Sequence, residues 1–477
     1  MSAPSATGRT RAGLGFRRPS HRPGARSATV LVGVTGWRSI AALLVVVFHV
    51  WQNMGTDGTG VGPWTDVPAA IAFFGNVDLV LDLFFVLSGL LLFLPFAQAA
   101  LDDARPAPAW RTFLWRRSVR LFPLYWVVVV LAWSTYNYGI TTARWDDLLV
   151  HLALLQAWSS ELIFYTIGPA WTLSVEWMFY LALAALGPLL VRRARLRATT
   201  AARVRLLVAA LLGVVAASVA YKLCVELWWQ PPVTDWAWRF GPPAKADDFA
   251  YGMLAAVVVV LVGRRGLPAW LLPVPLAGAL WLFSTALVLL DETRTPIQHA
   301  LRTTTSGLAW AIVLLALATC RQTWPGRLVD NPLTVRLSVV TYALYLVHEP
   351  VLLAYERTGL FLTRPTPLAY AVNLAVVLPL ALAAAWVLHR LVEEPWTDLA
   401  AWQAPRGGRA RLYPDRSLDL AAHRIRRHAA LADLGTAPAR SLRDQVDARL
   451  AATPGGHRPG ATLGGTAALP PSDTMTS

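Results

Sequence analysis

The chain has 477 residues, 55% of them hydrophobic and only 15% charged, with 22 tryptophans and a formal net charge of +15. A soluble domain carries roughly a quarter charged residues, so a water-soluble enzyme is excluded for the bulk of the chain. Hydrocarbon is the solvent this shortage fits, because a charged side chain at the bilayer centre is costly. The positive charge lies in short loops and in both tails, with no interleaved aromatic stripe, which assigns it to membrane topology and anionic lipid and argues against nucleic acid. Cys224 and Cys320 are the two cysteines; they allow neither a disulfide framework nor a zinc-ligand spacing, and no metal is expected.

Residues 1–30 hold Arg9, Arg11, Arg17, Arg18, Arg22 and Arg26. They lead into an apolar run without a small-residue cleavage site, which predicts a basic cytoplasmic tail ahead of a retained helix. Ten apolar runs follow, at about 31–53, 77–97, 121–138, 169–191, 206–228, 249–262, 268–290, 301–320, 336–355 and 368–392. All but the shortest, 249–262, come close to the length needed to span the ~30 Å hydrocarbon core. A further stretch, 148–158, is too short and is expected to be interfacial or re-entrant. With the N-terminus in the cytoplasm, the clusters Arg105–Arg120, Arg192–Arg205, Arg264–Arg265 and Arg321–Arg327 fall in inner loops, and the outer loops hold fewer than half as many cations. That asymmetry follows the positive-inside rule and supports an even number of spans. After Glu393–Glu394–Pro395 the composition turns to Arg, Ala, Pro and Gly, so 396–477 is predicted to be a basic, largely disordered cytoplasmic tail. The expected fold is an all-α, polytopic membrane helical bundle of about ten transmembrane helices over 31–395, multi-pass in the inner membrane, with both termini cytoplasmic.

The informative residues are polar groups inside the spans, where each is expensive and each also has a plain structural explanation. Arg38 and His49 are eleven apart, about 1100° on a helix, so they share a face about 16 Å apart; alternatively, Arg38 snorkels to headgroups and His49 is an interface residue. Asp78 and Asp82 also share a face, and a carboxylate beside a histidine orients the ring; the alternative is an ion pair with an arginine. Arg117 and Arg120 project together from a helix start as a fork suited to phosphate, or simply meet lipid phosphates. Glu176, two residues after Ser174, is an acid just inside a span, or else an interfacial anchor. Tyr342 and Tyr345 share a face, with His348 and Glu349 beyond them and Pro350 as a kink; an aromatic belt with a polar break gives the same pattern. No GxSxG, HExxH, Walker or dinucleotide motif stands in a convincing context.

Taken in order, the Arg–x10–His stripe, DLFFVLSG, RRxxRLxPLYW, WTLSVEWxFY, YxLYLxHxP and EEP form a pattern that resembles the acyltransferase family 3 membrane proteins, over about 35–400. The resemblance implies ten core spans and acyl-CoA, usually acetyl-CoA, as co-substrate with no bound cofactor. It implies a carbohydrate, lipid-linked glycan or macrolide as acceptor, and membrane lipid as surroundings. By motif match, Arg38 and His49 are the essential pair, Arg117 and Arg120 the cytoplasmic Arg-x-x-Arg, and Glu176 the acid of Ser-x-Glu. The sequence departs at Trp177, where a second acid is usual, and at Thr35–Gly36–Trp37, where Asp-Gly-Leu is usual. The expectation is therefore an O-acyltransferase acting on a carbohydrate or another cell-envelope or secondary-metabolite acceptor. In it His49 is general base or transient acyl carrier, and Arg38 lines the donor path. Arg117 and Arg120 hold donor phosphates, and Asp82 or Glu176 orients His49 or binds the acceptor. Ser174, Tyr345 and His348 are acceptor-binding or structural. A transporter of glycan or acyl intermediates is the alternative; its mark would be an inverted repeat, and none is visible. A non-catalytic scaffold with a lipid- or partner-binding tail is a third reading.

Overall fold

In hydrocarbon every backbone N–H and C=O must be satisfied within its own segment, which leaves helices as the solution for long apolar runs. The computed structural model describes residues 33–55, 62–64, 67–136, 144–232, 234–263, 266–288, 295–320 and 323–397. The N-terminal tail, and the C-terminal tail but for 396 and 397, lie outside the described residues. The structure is about 80% helical and has no strand among the described residues. The helices are α1 (Thr35–Gln52), α2 (Pro68–Phe74), α3 (Leu79–Leu101), α4 (Trp110–Tyr136), α5 (Trp145–Leu152), α6 (Trp171–Arg195), α7 (Thr200–Cys224) and α8 (Trp236–Phe240). They continue with α9 (Ala246–Val262), α10 (Pro273–Val288), α11 (Pro296–Thr319), α12 (Trp324–Val329), α13 (Pro332–Leu337), α14 (Thr341–Arg357) and α15 (Pro367–Leu388).

Each of the ten apolar runs falls on one long helix. Seven helical segments among the described residues are long and apolar enough to cross a membrane: 68–101, 110–135, 168–195, 200–229, 269–287, 296–319 and 367–397. The other three runs are short or polar. Helices α9 and α14 have 17 residues each, and α1, with 18, carries both Arg38 and His49.

One difference from the sequence reading has a local cause. Helix α4 begins at Trp110, well before its apolar run, because arginine is a good helix former and Phe113 and Leu114 give the added turns a face against the core. The stretch 148–158 is helix α5 followed by a 3-10 turn at Gln156–Trp158. It is pinned to α4 by bonds from Tyr125 Oη to the His151 carbonyl (2.8 Å) and from Trp126 Nε1 to the Leu152 carbonyl (3.0 Å).

The most extensive helix pair is α3 with α9. Its backbones meet through two glycines: a Cβ on Gly89 would lie 2.2 Å from the Phe249 carbonyl oxygen, and one on Gly252 2.0 Å from that of Val86. Close approach through small residues is how helices associate where lipid removes the hydrophobic driving force. Helix α1 packs on α14 and α15. Its start is held from far along the chain: the Gly33 and Gly36 N–H groups donate to the Asp330 carboxylate at 2.5 and 2.8 Å, and Ser39 Oγ donates to the Thr334 carbonyl at 2.6 Å. A carboxylate at a helix N-terminus satisfies orphan donors and meets the positive end of the dipole. Beyond the end of α3, Arg203 forks onto Asp103 with two 2.9 Å bonds, and this guanidinium holds the carboxyl below its usual range.

Candidate active site

The Arg38–His49 stripe feeds two successive cavities. Arg38 lines the first, of about 120 Å³, with Arg117, Arg120, Ser88, Glu176 and Tyr180. Helix α4 brings Arg117 and Arg120 to it from adjacent turns. Glu176 Oε1 accepts from Ser88 Oγ (2.7 Å) and Tyr180 Oη (2.5 Å), so the carboxylate is fixed by neutral donors. Arg117 Nε is buried without a hydrogen-bond partner. Three guanidinium groups facing one carboxylate leave this arginine cavity net cationic, and guanidinium forks match phosphate and carboxylate oxygens.

His49 lines the second cavity, of about 540 Å³, with Asp78, Glu349, Gln52 and a set of aromatic rings that includes Phe48, Trp171 and Trp236. The ring partners of His49 fix its tautomer. His348 Nδ1 lies 3.2 Å from the Leu344 carbonyl and so carries a proton, leaving Nε2 of His348 as an acceptor. His49 Nδ1 lies 2.8 Å from the Val45 carbonyl and 3.3 Å from His348 Nε2. Both neighbours accept, so His49 Nδ1 is the donor and Nε2 carries the lone pair. The two rings sit with centroids 5.0 Å apart.

The remaining expected site residues have partners of their own. Asp82, fully buried, takes an ion pair with Lys245 (2.7 Å) rather than touching His49. Its neighbour Asp78 binds Arg302 bidentately at 2.5 and 2.7 Å. Ser174 Oγ donates to the Leu154 carbonyl at 2.6 Å and holds the turn after α5. Tyr345 Oη donates to the Pro169 carbonyl (2.9 Å) and lies 2.8 Å from Thr172 Oγ1. The structure thus gathers Arg38, Arg117, Arg120 and Glu176 at one cavity and His49 at the next, with His348 against the His49 ring, and it leaves Asp82 and Ser174 out of both linings.

Sequence reasoning assigned no role to Glu349, which lines the histidine cavity while its carboxylate accepts from Gly168 N–H. The signal was present, an acid between a histidine and a proline in a span. A third cavity of about 240 Å³ shares Gly75, Asp78, Trp236 and Phe240 with the histidine cavity and adds Lys222, Glu226, Arg239, His299 and Arg302. Its charges are largely matched, by Asp78–Arg302 and Glu226–Arg239 within the wall and by Asp247 behind Lys222.

A family model described as an acyltransferase domain matches residues 31–390. No curated protein and no solved structure matches the chain. The matched span contains every residue placed around the arginine and histidine cavities.

Proposed function

From the premise that the chain belongs to acyltransferase family 3, we propose that it is an inner-membrane O-acyltransferase of ten spans with both termini in the cytoplasm. It moves an acyl group, acetyl in the simplest case, from acyl-CoA to a hydroxyl of a carbohydrate or other cell-envelope or secondary-metabolite acceptor. The observation that carries this reading is the pairing of a cationic cavity with a cavity holding an imidazole oriented by the Val45 carbonyl, the two sharing a wall residue.

Arg117 and Arg120 bind donor phosphates, and the thioester end of the donor enters the arginine cavity past Arg38. The acceptor enters the histidine cavity, where aromatic rings offer flat apolar faces and Glu349 and Asp78 offer acceptors for hydroxyl groups. His49 Nε2 takes the hydroxyl proton as the oxygen attacks the thioester carbonyl. The C–S bond then breaks, and the thiolate leaves with the proton that the imidazole returns. An ester and free CoA result. His348 and the Val45 carbonyl keep the His49 proton on Nδ1, so that Nε2 is ready as base.

The test is acyl transfer from radiolabelled acetyl-CoA in membranes holding the wild type or His49→Ala, with host lipids and glycans as acceptors. Removing a general base lowers the rate by roughly 10²–10⁴-fold, so label is expected to move only with the wild type. Transfer retained by an expressed His49→Ala protein sinks the assignment. If no label moves with the wild type either, longer acyl-CoAs included, the transport reading takes over. The buried pairs Asp82–Lys245 and Asp247–Lys222 would favour it, since intramembrane charges also build ion pathways.

A further inference from the structure

Tyr345 is the one residue among the described residues that lines both the arginine cavity and the histidine cavity. Its ring packs edge-on to Phe84 of the arginine cavity, with centroids 5.7 Å apart, and lies 5.9 Å from the ring of His348. Its hydroxyl is tied to the turn before α6, donating to the Pro169 carbonyl and lying 2.8 Å from Thr172 Oγ1. One helical turn further along α14, Glu349 grips the same turn through Gly168 N–H. A Cβ there would lie 2.5 Å from Glu349 Oε1, so a larger residue would push the carboxylate out of this grip. Positions i and i+4 of α14 therefore clamp one short segment, and Tyr345 belongs to the walls of both cavities.

We propose that the Tyr345 side chain is the partition between the donor and acceptor compartments, a positioning residue whose displacement opens the way for the thioester to His49 and whose closure keeps water from the thioester. The proposal rests on the acyl-transfer reading. A thioester and an imidazole held in one open aqueous space would lose acyl groups to water, and a closing side chain is a known means of excluding it. Swinging the ring aside breaks the bonds to Pro169 and Thr172 and makes or breaks no covalent bond.

The partition can be tested without catalysis. In a protein with Cys224→Ala and Cys320→Ala, Ser88→Cys places a thiol in the arginine cavity. A charged, membrane-impermeant methanethiosulfonate is then added to vesicles of either orientation. A latched side chain leaves the open state at most about 10% populated, so Tyr345→Ala should speed labelling from the His49 side by at least about tenfold. Labelling from the arginine side should not change, which also reports that the variant is folded. Tyr345→Phe keeps the ring without the hydroxyl and should give a smaller increase. Equal rates from the His49 side in all three proteins overturn the partition. In a second arm, purified protein with Ser88 intact is given acetyl-CoA and no acceptor, and free CoA is measured. Tyr345→Ala should raise release several-fold, and adding His49→Ala should abolish the gain. Unchanged release overturns the role of Tyr345 on the transfer path. Labelling as expected, with no release from any protein including wild type, removes the acyl-transfer reading and leaves the partition standing.

Discussion

Asp78 and Asp82 lie one turn apart, yet they serve different cations: Arg302 for the first and Lys245 for the second. The Asp82–Lys245 pair is almost wholly buried, so its worth lies in the cost of breaking it. Removing one partner strands a charge and costs about 3–5 kcal/mol, whereas removing both can cost little. Asp82→Asn and Lys245→Met should therefore each lower the thermal midpoint in detergent strongly, and the double variant should lose much less than their sum. Strict additivity would show that the pair is not coupled in the folded state. Helical periodicity makes plain which acids share a face, and Arg38 and His49 were legible on the same ground. It says nothing about a partner 163 residues away. Lys245 sits in a Pro-Pro-Ala-Lys turn that reads as an outer loop, so the competition between Lys245 and His49 for Asp82 was invisible. Glu176 shows the same limit, since its Ser88 donor lies 88 residues earlier.

At the scale of elements, hydropathy located every long helix but misjudged starts wherever polar groups enter one. Helix α9 is the shortest of the apolar runs because Asp247 and Asp248 occupy its first turn. Lys222 and Thr304 meet Asp247 there at 2.8 and 2.6 Å, which lets the helix begin among buried charges. Its contact with α3 is set by backbone proximity. Gly89→Ala and Gly252→Ala should each destabilise the protein by about 1–3 kcal/mol through overpacking. On α7, where a Cβ at Gly213 meets nothing within 4 Å, Gly213→Ala should be neutral or raise stability by up to about 1 kcal/mol through helix propensity. Thermal unfolding of the three variants decides it, and similar losses at all three sites would refute the packing argument.

For the whole molecule, the family match ends at residue 390, and the last helical segment among the described residues runs over 367–397. Every residue assigned to the site lies before residue 390. Deleting 400–477 should therefore leave His49-dependent transfer in isolated membranes unchanged; loss of turnover would give the tail a part in catalysis and revive the scaffold reading. The helical class and the membrane setting were legible because bilayer thickness and charge cost are written into run length and composition. The cavities were not, because each is a gap among several helices far apart in the chain (α1, α3, α4, α6 and α14 around the arginine cavity), and a gap exists only once the helices are docked.

The clasp on α1 has a consequence for how the protein is made. The groups that fix the first helix are Asp330 and Thr334 at its start, His348 beside His49, and Tyr370, whose hydroxyl donates to the Val47 carbonyl at 3.1 Å. All four belong to the last stretch of the helical region to leave the ribosome. Of the described helices, the first to be made is thus the last to be seated, and a chain interrupted before Asp330 holds both Arg38 and His49 without the residues that aim them. On the proposed function, an unfinished copy in the membrane would carry an unaimed imidazole and would not consume donor.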